Sequence, residues 1–136
     1  MSDAGKTGAG WENDILGHGY ECLDLPLKPD EEGQVKATLV RHAPPVAHPA
    51  PQGVLDFLVS FTKRHRRATP ADPGGAPRAV LYLHGWADYF LQTELAEYLT
   101  ASGFHFYALD LRKFGRSLLP GQTPGYTSDL GVYTRT

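Results

Sequence analysis

The sequence predicts an α/β fold in which an antiparallel hairpin precedes a parallel β-α-β unit. Three observations support this prediction. Residues 19–42 hold two strand-like runs around a turn, and residues 79–110 hold two apolar runs separated by a helix-like segment. Between them, residues 44–78 are rich in proline and glycine and contain neither pattern over most of their length. A chain of 136 residues can build one modest core, so we expect a single domain across residues 1–136.

The hairpin is predicted from two runs that flank a turn. "GYECLDLPL" and "QVKATLVRH" lie on either side of "KPDEEG", whose proline, aspartate and glycine favour a change of direction. Val35, Ala37 and Leu39 alternate along the second run and therefore share one face of the predicted strand. The half-apolar surroundings of Cys22 indicate a packing role for that side chain. Residues 1–14 are small and polar and are predicted to be flexible.

The Pro/Gly-rich segment 44–78 is predicted to be a surface insertion. Within it, "VLDFLVSFTKRHRR" (residues 54–67) has apolar residues at helical spacing, which favours a short amphipathic helix; a strand is the weaker alternative. Its basic end could make weak contact with an anionic membrane surface. The same charges are also typical of a solvated helix C-terminus, where cations are stabilised by the helix dipole.

The β-α-β unit is predicted from "AVLYL" (79–83) and "FHFYALDL" (104–111), both apolar on two faces as buried parallel strands are. Asp88 is a good N-cap for a helix that runs to about Ser102, and Gly103 can end it in a left-handed turn. The predicted apolar stripe of this helix is Leu91, Leu95 and Leu99. His105, inside the second strand, is expected to be a satisfied core histidine.

Composition excludes several functional classes. The net charge is −2, and the basic residues are not interleaved with aromatic ones, so no nucleic-acid partner is predicted. Cys22 is the only cysteine, the amino terminus lacks an apolar signal region, and no run is long enough to span a membrane, so we expect a cytoplasmic protein. His42, His48 and His65 lack metal-ligand spacing, and neither a metal nor a cofactor is predicted.

The residues His84-Gly85-Trp86 end the first parallel strand, where open α/β sheets bind ligands. Asp110 ends the second. A dinucleotide site would need G-x-G-x-x-G at the first position, but the turn has one glycine and a bulky indole. An oxyanion hole is the better interpretation, because Gly85 permits a sharp turn that exposes the Trp86 backbone N–H to a substrate oxygen.

Three motifs in order, "AVLYLHGWADYF", "YALDLRKFGRS" and "GYTSDLGVY", resemble the N-terminal part of α/β-hydrolases of the monoglyceride-lipase, lysophospholipase and serine aminopeptidase group. The resemblance spans residues 11–136 and is weakest across 44–78. It implies a serine hydrolase of ester or amide bonds acting on a small-molecule or lipid ester. By the same resemblance, Trp86 gives the oxyanion-hole N–H, while His84 and Gly85 shape its loop. The residues implied to shape the loop after the next strand are Asp110, Arg112, Gly115 and Ser117.

The sequence departs from this family in one respect that matters for activity. The nucleophile motif G-x-S-x-G is absent, and Ser117 is followed too closely by Pro120 and Gly121 to begin an elbow helix. We therefore interpret Ser117 as a loop serine and expect nucleophile, acid and base to be missing, as in a truncated hydrolase sheet that is inactive alone. The alternative is a non-catalytic remnant or binding module.

A truncated sheet has a structural consequence. In the family's strand order the strand 79–83 would lie at an edge when the next strand is missing, and it carries no charge or proline that would block pairing. We therefore expect self-association through strand 79–83. Substituting Val80 or Tyr82 by lysine is expected to weaken it.

Overall fold

The computed structural model describes residues 10–43 and 78–134. These residues form a mixed five-stranded sheet in the order β1-β2-β3-β5-β4. The strands and the single α-helix of the described residues are, in chain order, β1 (Glu12–Asn13), β2 (Tyr20–Asp30), β3 (Gly33–His42), β4 (Ala79–Leu83), α1 (Thr93–Ala101) and β5 (His105–Asp110). Short 3₁₀ turns follow at Gly115–Ser117 and Leu130–Tyr133. The expectation of an α/β fold is confirmed at this level.

The antiparallel hairpin is confirmed. β2 pairs antiparallel with β3, and the turn lies at Glu31 and Glu32, where the Glu32 N–H donates to the Asp30 carboxylate over 2.9 Å. Of the three residues predicted to share a face, Val35 and Ala37 are buried and Leu39 is half-buried, but Thr38 and Val40 on the other face are buried too. β3, which lies between β2 and β5, therefore has buried residues on both faces of the sheet.

The parallel β-α-β unit is also confirmed, since β4 pairs parallel with β5 and α1 connects them. Among the described residues β4 lies at the edge of the sheet. It is apolar on both faces, as the sequence indicates, but only one face is covered. Val80 and Tyr82 pack against the core, whereas Leu81 and Leu83 are each 56% exposed.

The helix begins later than predicted, and Asp88 is not its N-cap. α1 starts at Thr93, after Gln92. The reason lies at Phe90, which is fully buried and donates its backbone N–H to the Asp110 carboxylate over 2.9 Å. That contact holds the chain against β5 in a non-helical path, and Asp88 instead accepts from the neighbouring Tyr89 N–H.

The predicted leucine stripe of the helix is wrong in two of its three positions. Leu91 precedes α1 and is 46% exposed, and Leu95 is 40% exposed. Ala96 is fully buried instead, and Leu99 packs beside it against the core. The prediction that Gly103 ends the helix in a left-handed turn is confirmed, with φ of +86°.

The core lies between α1 and one face of the sheet. Its buried members are Tyr20, Val40, Phe90, Ala96, Phe106 and Ala108. His105 is exposed at the start of β5, so the prediction of a core histidine is wrong. No helix within residues 10–43 and 78–134 is both long enough and apolar enough to cross a membrane.

Two sequence predictions concern segments at the limits of the described residues. The flexible terminus predicted for residues 1–14 does not hold for its last part, because β1 pairs with β2 and Asp14 is buried. Residues 1–9 lie outside the described residues. So do residues 44–77, which include the predicted amphipathic helix and membrane-contact segment 54–67.

Candidate functional site

The turn after β4 is held by His84. The side chain is buried, and its Nε2 accepts a hydrogen bond from the Leu111 N–H over 2.9 Å. Nδ1 lies 2.7 Å from the Gly85 carbonyl oxygen and must therefore donate to it. These two partners select the neutral tautomer with the proton on Nδ1. The ring thus links the carboxyl ends of the two parallel strands.

The backbone beyond His84 is open toward solvent. Trp86 is 80% exposed, and its backbone N–H has no acceptor among the described residues. Ala87 follows with φ of +56°, in the left-handed region that residues other than glycine rarely occupy. Such strain costs about 1–3 kcal/mol and is concentrated at functional sites. The turn therefore presents a free donor in a conformation that the chain would not adopt without support.

A small cavity of about 200 Å³ adjoins this turn. Trp86, Tyr89, Phe114 and Pro124 contribute to its wall. The Trp86 and Phe114 rings meet edge to face with centroids 5.6 Å apart. Since pockets for drug-sized ligands measure roughly 300–1,000 Å³, this smaller space suits a short acyl or single-ring group.

Asp110 ends β5 beneath the same turn and is fully buried. One carboxylate oxygen accepts the Phe90 N–H, and the other accepts from the backbone N–H and the guanidinium of Arg116 at 3.1 and 2.8 Å. Both oxygens are thus occupied by internal donors. Asp110 thus holds Phe90 and Arg116 together and is itself enclosed.

Arg116 is the centre of a buried ion network that the sequence did not indicate. Its guanidinium contacts both oxygens of Asp14, one oxygen of Asp110 and the carbonyl of Phe90. Burial by itself would raise the pKa of Asp14, but hydrogen bonds from Arg116 and Leu16 hold that pKa below its ordinary value. The arginine is therefore the cation that two buried carboxylates from distant parts of the chain share.

Ser117 is fully buried in the 3₁₀ turn. Its hydroxyl donates to the Asp110 carbonyl over 2.8 Å and lies 3.2 Å from the Thr38 hydroxyl. No histidine or carboxylate side chain contacts the hydroxyl among the described residues, so no base is placed to activate it. The interpretation of Ser117 as a loop serine agrees with this geometry.

Arg112, which the resemblance singled out, and its neighbour Lys113 fix this loop to the hairpin. Arg112 pairs with Asp30 over 2.7 Å, and fully buried Lys113 contacts Asp30 and Glu32 at 2.7 and 2.6 Å. Lys113 was not singled out by the sequence, although it too adopts a left-handed φ of +59°. The hydrogen bonds of its two carboxylate partners raise its pKa against the lowering effect of burial.

Within the described residues, no group of three histidine, cysteine, aspartate or glutamate side chains is arranged to hold a metal ion. Cys22 is half-buried, and burial together with nearby Asp14 and Asp24 raises the pKa of its thiol. Comparison of the chain with known protein families, curated proteins and solved structures finds no match.

Proposed function

We propose that this chain supplies the oxyanion loop of an α/β-hydrolase-type serine hydrolase that acts on ester or amide bonds. The observation that carries the proposal is the Trp86 N–H, which has no acceptor within residues 10–43 and 78–134 and lies at the carboxyl end of a parallel strand, beside an apolar cavity. Ligands bind at this position in open α/β sheets.

The geometry suits stabilisation of a developing negative oxygen. The Trp86 N–H would donate to that oxygen. The space beside Gly85 is open, because no atom lies within 4 Å of the position of an added Cβ. His84 would keep the turn rigid through its bonds to Leu111 and Gly85. The Trp86 and Phe114 rings would pack against the acyl or aryl part of the ester.

The proposal assigns no nucleophile to this chain. G-x-S-x-G does not occur in the 136 residues, and Ser117 is enclosed. The attacking serine and its base and acid would belong to polypeptide outside this sequence. The substrate would be a small-molecule or lipid ester with a short or single-ring group at the cavity.

A second candidate is a non-catalytic binding module. The burial of Ser117 favours it, because the same N–H and cavity could bind a carboxylate without any covalent step. Both candidates place an oxyanion at Trp86, and they differ in whether a bond is cleaved.

Both candidates require that an oxyanion binds at Trp86. This binding can be tested by titrating the ¹⁵N-labelled chain with phenylacetate and following the amide and indole resonances. We expect saturable shifts of the Trp86 amide and indole, while the indole of Trp11, the only other tryptophan, stays unchanged. Trp86→Pro removes the N–H and should abolish the shifts elsewhere in the loop, whereas Trp86→Phe retains it and should bind. Absence of any shift at Trp86 would exclude both candidates.

Catalysis can be tested in any encoded polypeptide that continues past Thr136. We predict a helix, a strand and then G-x-S-x-G roughly 25–45 residues further on. In that protein, Trp86→Pro should lower kcat by about 10²–10³-fold, the effect of losing one oxyanion donor. A folded Trp86→Pro protein with unchanged kcat would favour the binding module.

A further inference from the structure

In the part of the chain that the structure describes, the outer edge of β4 is a strand edge without protection. Its described neighbour is β5 on one side, and on the other side no described strand pairs with it. Soluble proteins usually protect such edges with charges, proline or bulges. Residues 79–83 contain none of these, because the sequence is Ala-Val-Leu-Tyr-Leu and the register with β5 is continuous.

The direction of the free hydrogen-bonding groups follows from the register. The Arg78 carbonyl accepts the His105 N–H over 2.9 Å, so Arg78 faces β5. Backbone groups alternate in direction along a strand, which means that Ala79, Leu81 and Leu83 direct their N–H and C=O groups outward. The side chains of the same three residues lie on the sheet face opposite the core, where Leu81 and Leu83 are 56% exposed.

We propose that β4 pairs antiparallel with β4 of a second copy of this chain, about a two-fold axis at Leu81. In this register Leu81 exchanges both hydrogen bonds with its symmetry mate, at a Cα separation of about 5.5 Å, and Ala79 does so with Leu83 of the partner. All three outward residues are then satisfied. The proposal concerns the 136-residue chain itself and does not depend on the proposed hydrolase function.

Of the two edge strands that another copy could offer, β4 fits this edge better than β1. The opposite edge strand, β1, has only two residues, so β4 packing on β1 of another copy would satisfy few groups. That arrangement would also be head-to-tail and open-ended, whereas pairing β4 with β4 closes as a dimer. No charged residue lies within Ala79–Leu83, so like charges do not oppose each other across the axis.

The dimer also extends an apolar surface. On the face away from α1, the register places one leucine from each of four strands in a row: Leu83, Leu109, Leu39 and Leu23. Pairing at β4 sets the exposed Leu81 and Leu83 side chains beside those of the partner. Burial of their apolar area strengthens the association beyond the backbone hydrogen bonds.

The test is sedimentation velocity of the full chain at concentrations in the tens of micromolar. We expect a dimer for the wild type. Leu81→Lys and Leu81→Glu each place like charges across the axis and should weaken dimerisation at least about tenfold, and an equimolar mixture of the two should restore it. The matched control Leu95→Lys substitutes an exposed leucine on α1 and should remain dimeric.

A cross-link tests the register independently of these charges. On a Cys22→Ser background, Leu81→Cys should form a disulfide-linked dimer under mild oxidation, because the expected Cα separation lies within the range of disulfides. Leu95→Cys should not. A monomeric wild type, dimers that persist in both charge variants, or a charge-variant mixture that stays monomeric would overturn the proposal.

Discussion

At the scale of single residues, Gly115 shows how tightly the loop after β5 is packed. Its φ is +47°, and an added Cβ would lie 2.3 Å from Tyr89 Cβ and 2.7 Å from Asp110 Oδ2. Gly115→Ala should therefore lower the free energy of unfolding by about 3 kcal/mol or more, from backbone strain and overpacking together. Gly121→Ala is the matched control, because Gly121 has φ of +85° but meets nothing within 4 Å. Urea unfolding of the two variants separates the clash from the strain, and equal losses would contradict the predicted packing.

The burial of Ser117 leads to a second prediction. The 136-residue chain should not be labelled by a fluorophosphonate probe and should not hydrolyse p-nitrophenyl esters above buffer, because the hydroxyl is enclosed and lacks a base. Ser117→Ala should leave both measurements unchanged. Labelling that Ser117→Ala removes would show that this loop opens and that the serine is reactive.

Sequence reasoning succeeded for residues whose partners are nearby and failed where the partners are distant. Pro120 and Gly121 close behind Ser117 were enough to indicate a loop serine. Arg116 gave no such signal, because its carboxylate partner Asp14 is 102 residues away in the sequence. Lys113 and Glu32 are likewise 81 residues apart. Only the folded sheet brings these charges together.

At the scale of elements, substitutions in α1 can test which side of this helix packs against the core. Ala96 is fully buried against the core, whereas Leu95 is 40% exposed. Ala96→Leu should therefore cost about 1–3 kcal/mol by overpacking, although it inserts a good helix former. Leu95→Ala should change stability by about 0.5 kcal/mol or less, as exposed substitutions usually do. The reverse order in thermal or urea unfolding would restore the leucine stripe predicted from sequence.

The error in the start of α1 has a tertiary cause. Leucines at 91, 95 and 99 have helical spacing, and Asp88 is a favourable cap, so local propensity alone predicts an earlier helix. The hydrogen bond from Phe90 to Asp110 overrides that propensity. A contact between residues on different elements is not visible in a local pattern, and this is why the helix start was missed while the strands were found.

The hairpin tip should make stability depend on pH. Hydrogen bonds from Lys113 lower the pKa values of Asp30 and Glu32 below their ordinary values of 3.8 and 4.5. Their stabilisation is therefore complete above the ordinary values and is lost as the pH falls through the lower folded-state values. The urea midpoint should decrease between pH 5 and pH 3 (roughly the range in which carboxylates titrate). Asp30→Asn should make this decrease shallower, and an identical profile would contradict the assignment.

At the scale of the whole molecule, the sequence predicted the hairpin, the parallel unit and the edge position of residues 79–83. It did not predict which of the two apolar faces of β4 packs against the core, because an apolar run looks the same from either face. This difference changes the design of an edge variant. Val80 and Tyr82, the positions first expected to report on association, pack against the core, so Leu81 is the informative site.

The Arg116 network joins the amino-terminal strand region to the loop after β5 and should therefore control the stability of the whole sheet. Arg116→Met leaves the buried carboxylates of Asp14 and Asp110 without their cation, and the free energy of unfolding should fall by about 3–5 kcal/mol. Arg116→Lys keeps the charge but cannot contact both carboxylates in the same fork-like way, so we expect an intermediate loss of stability.

The control is Arg41→Met, which removes a more exposed pair with Glu21 and should cost about 1 kcal/mol or less. Urea is the denaturant of choice, because guanidinium chloride is a salt and would screen the ion pairs that the variants remove. If Arg116→Met and Arg41→Met proved equally stable, the network would not hold the amino-terminal region to the sheet.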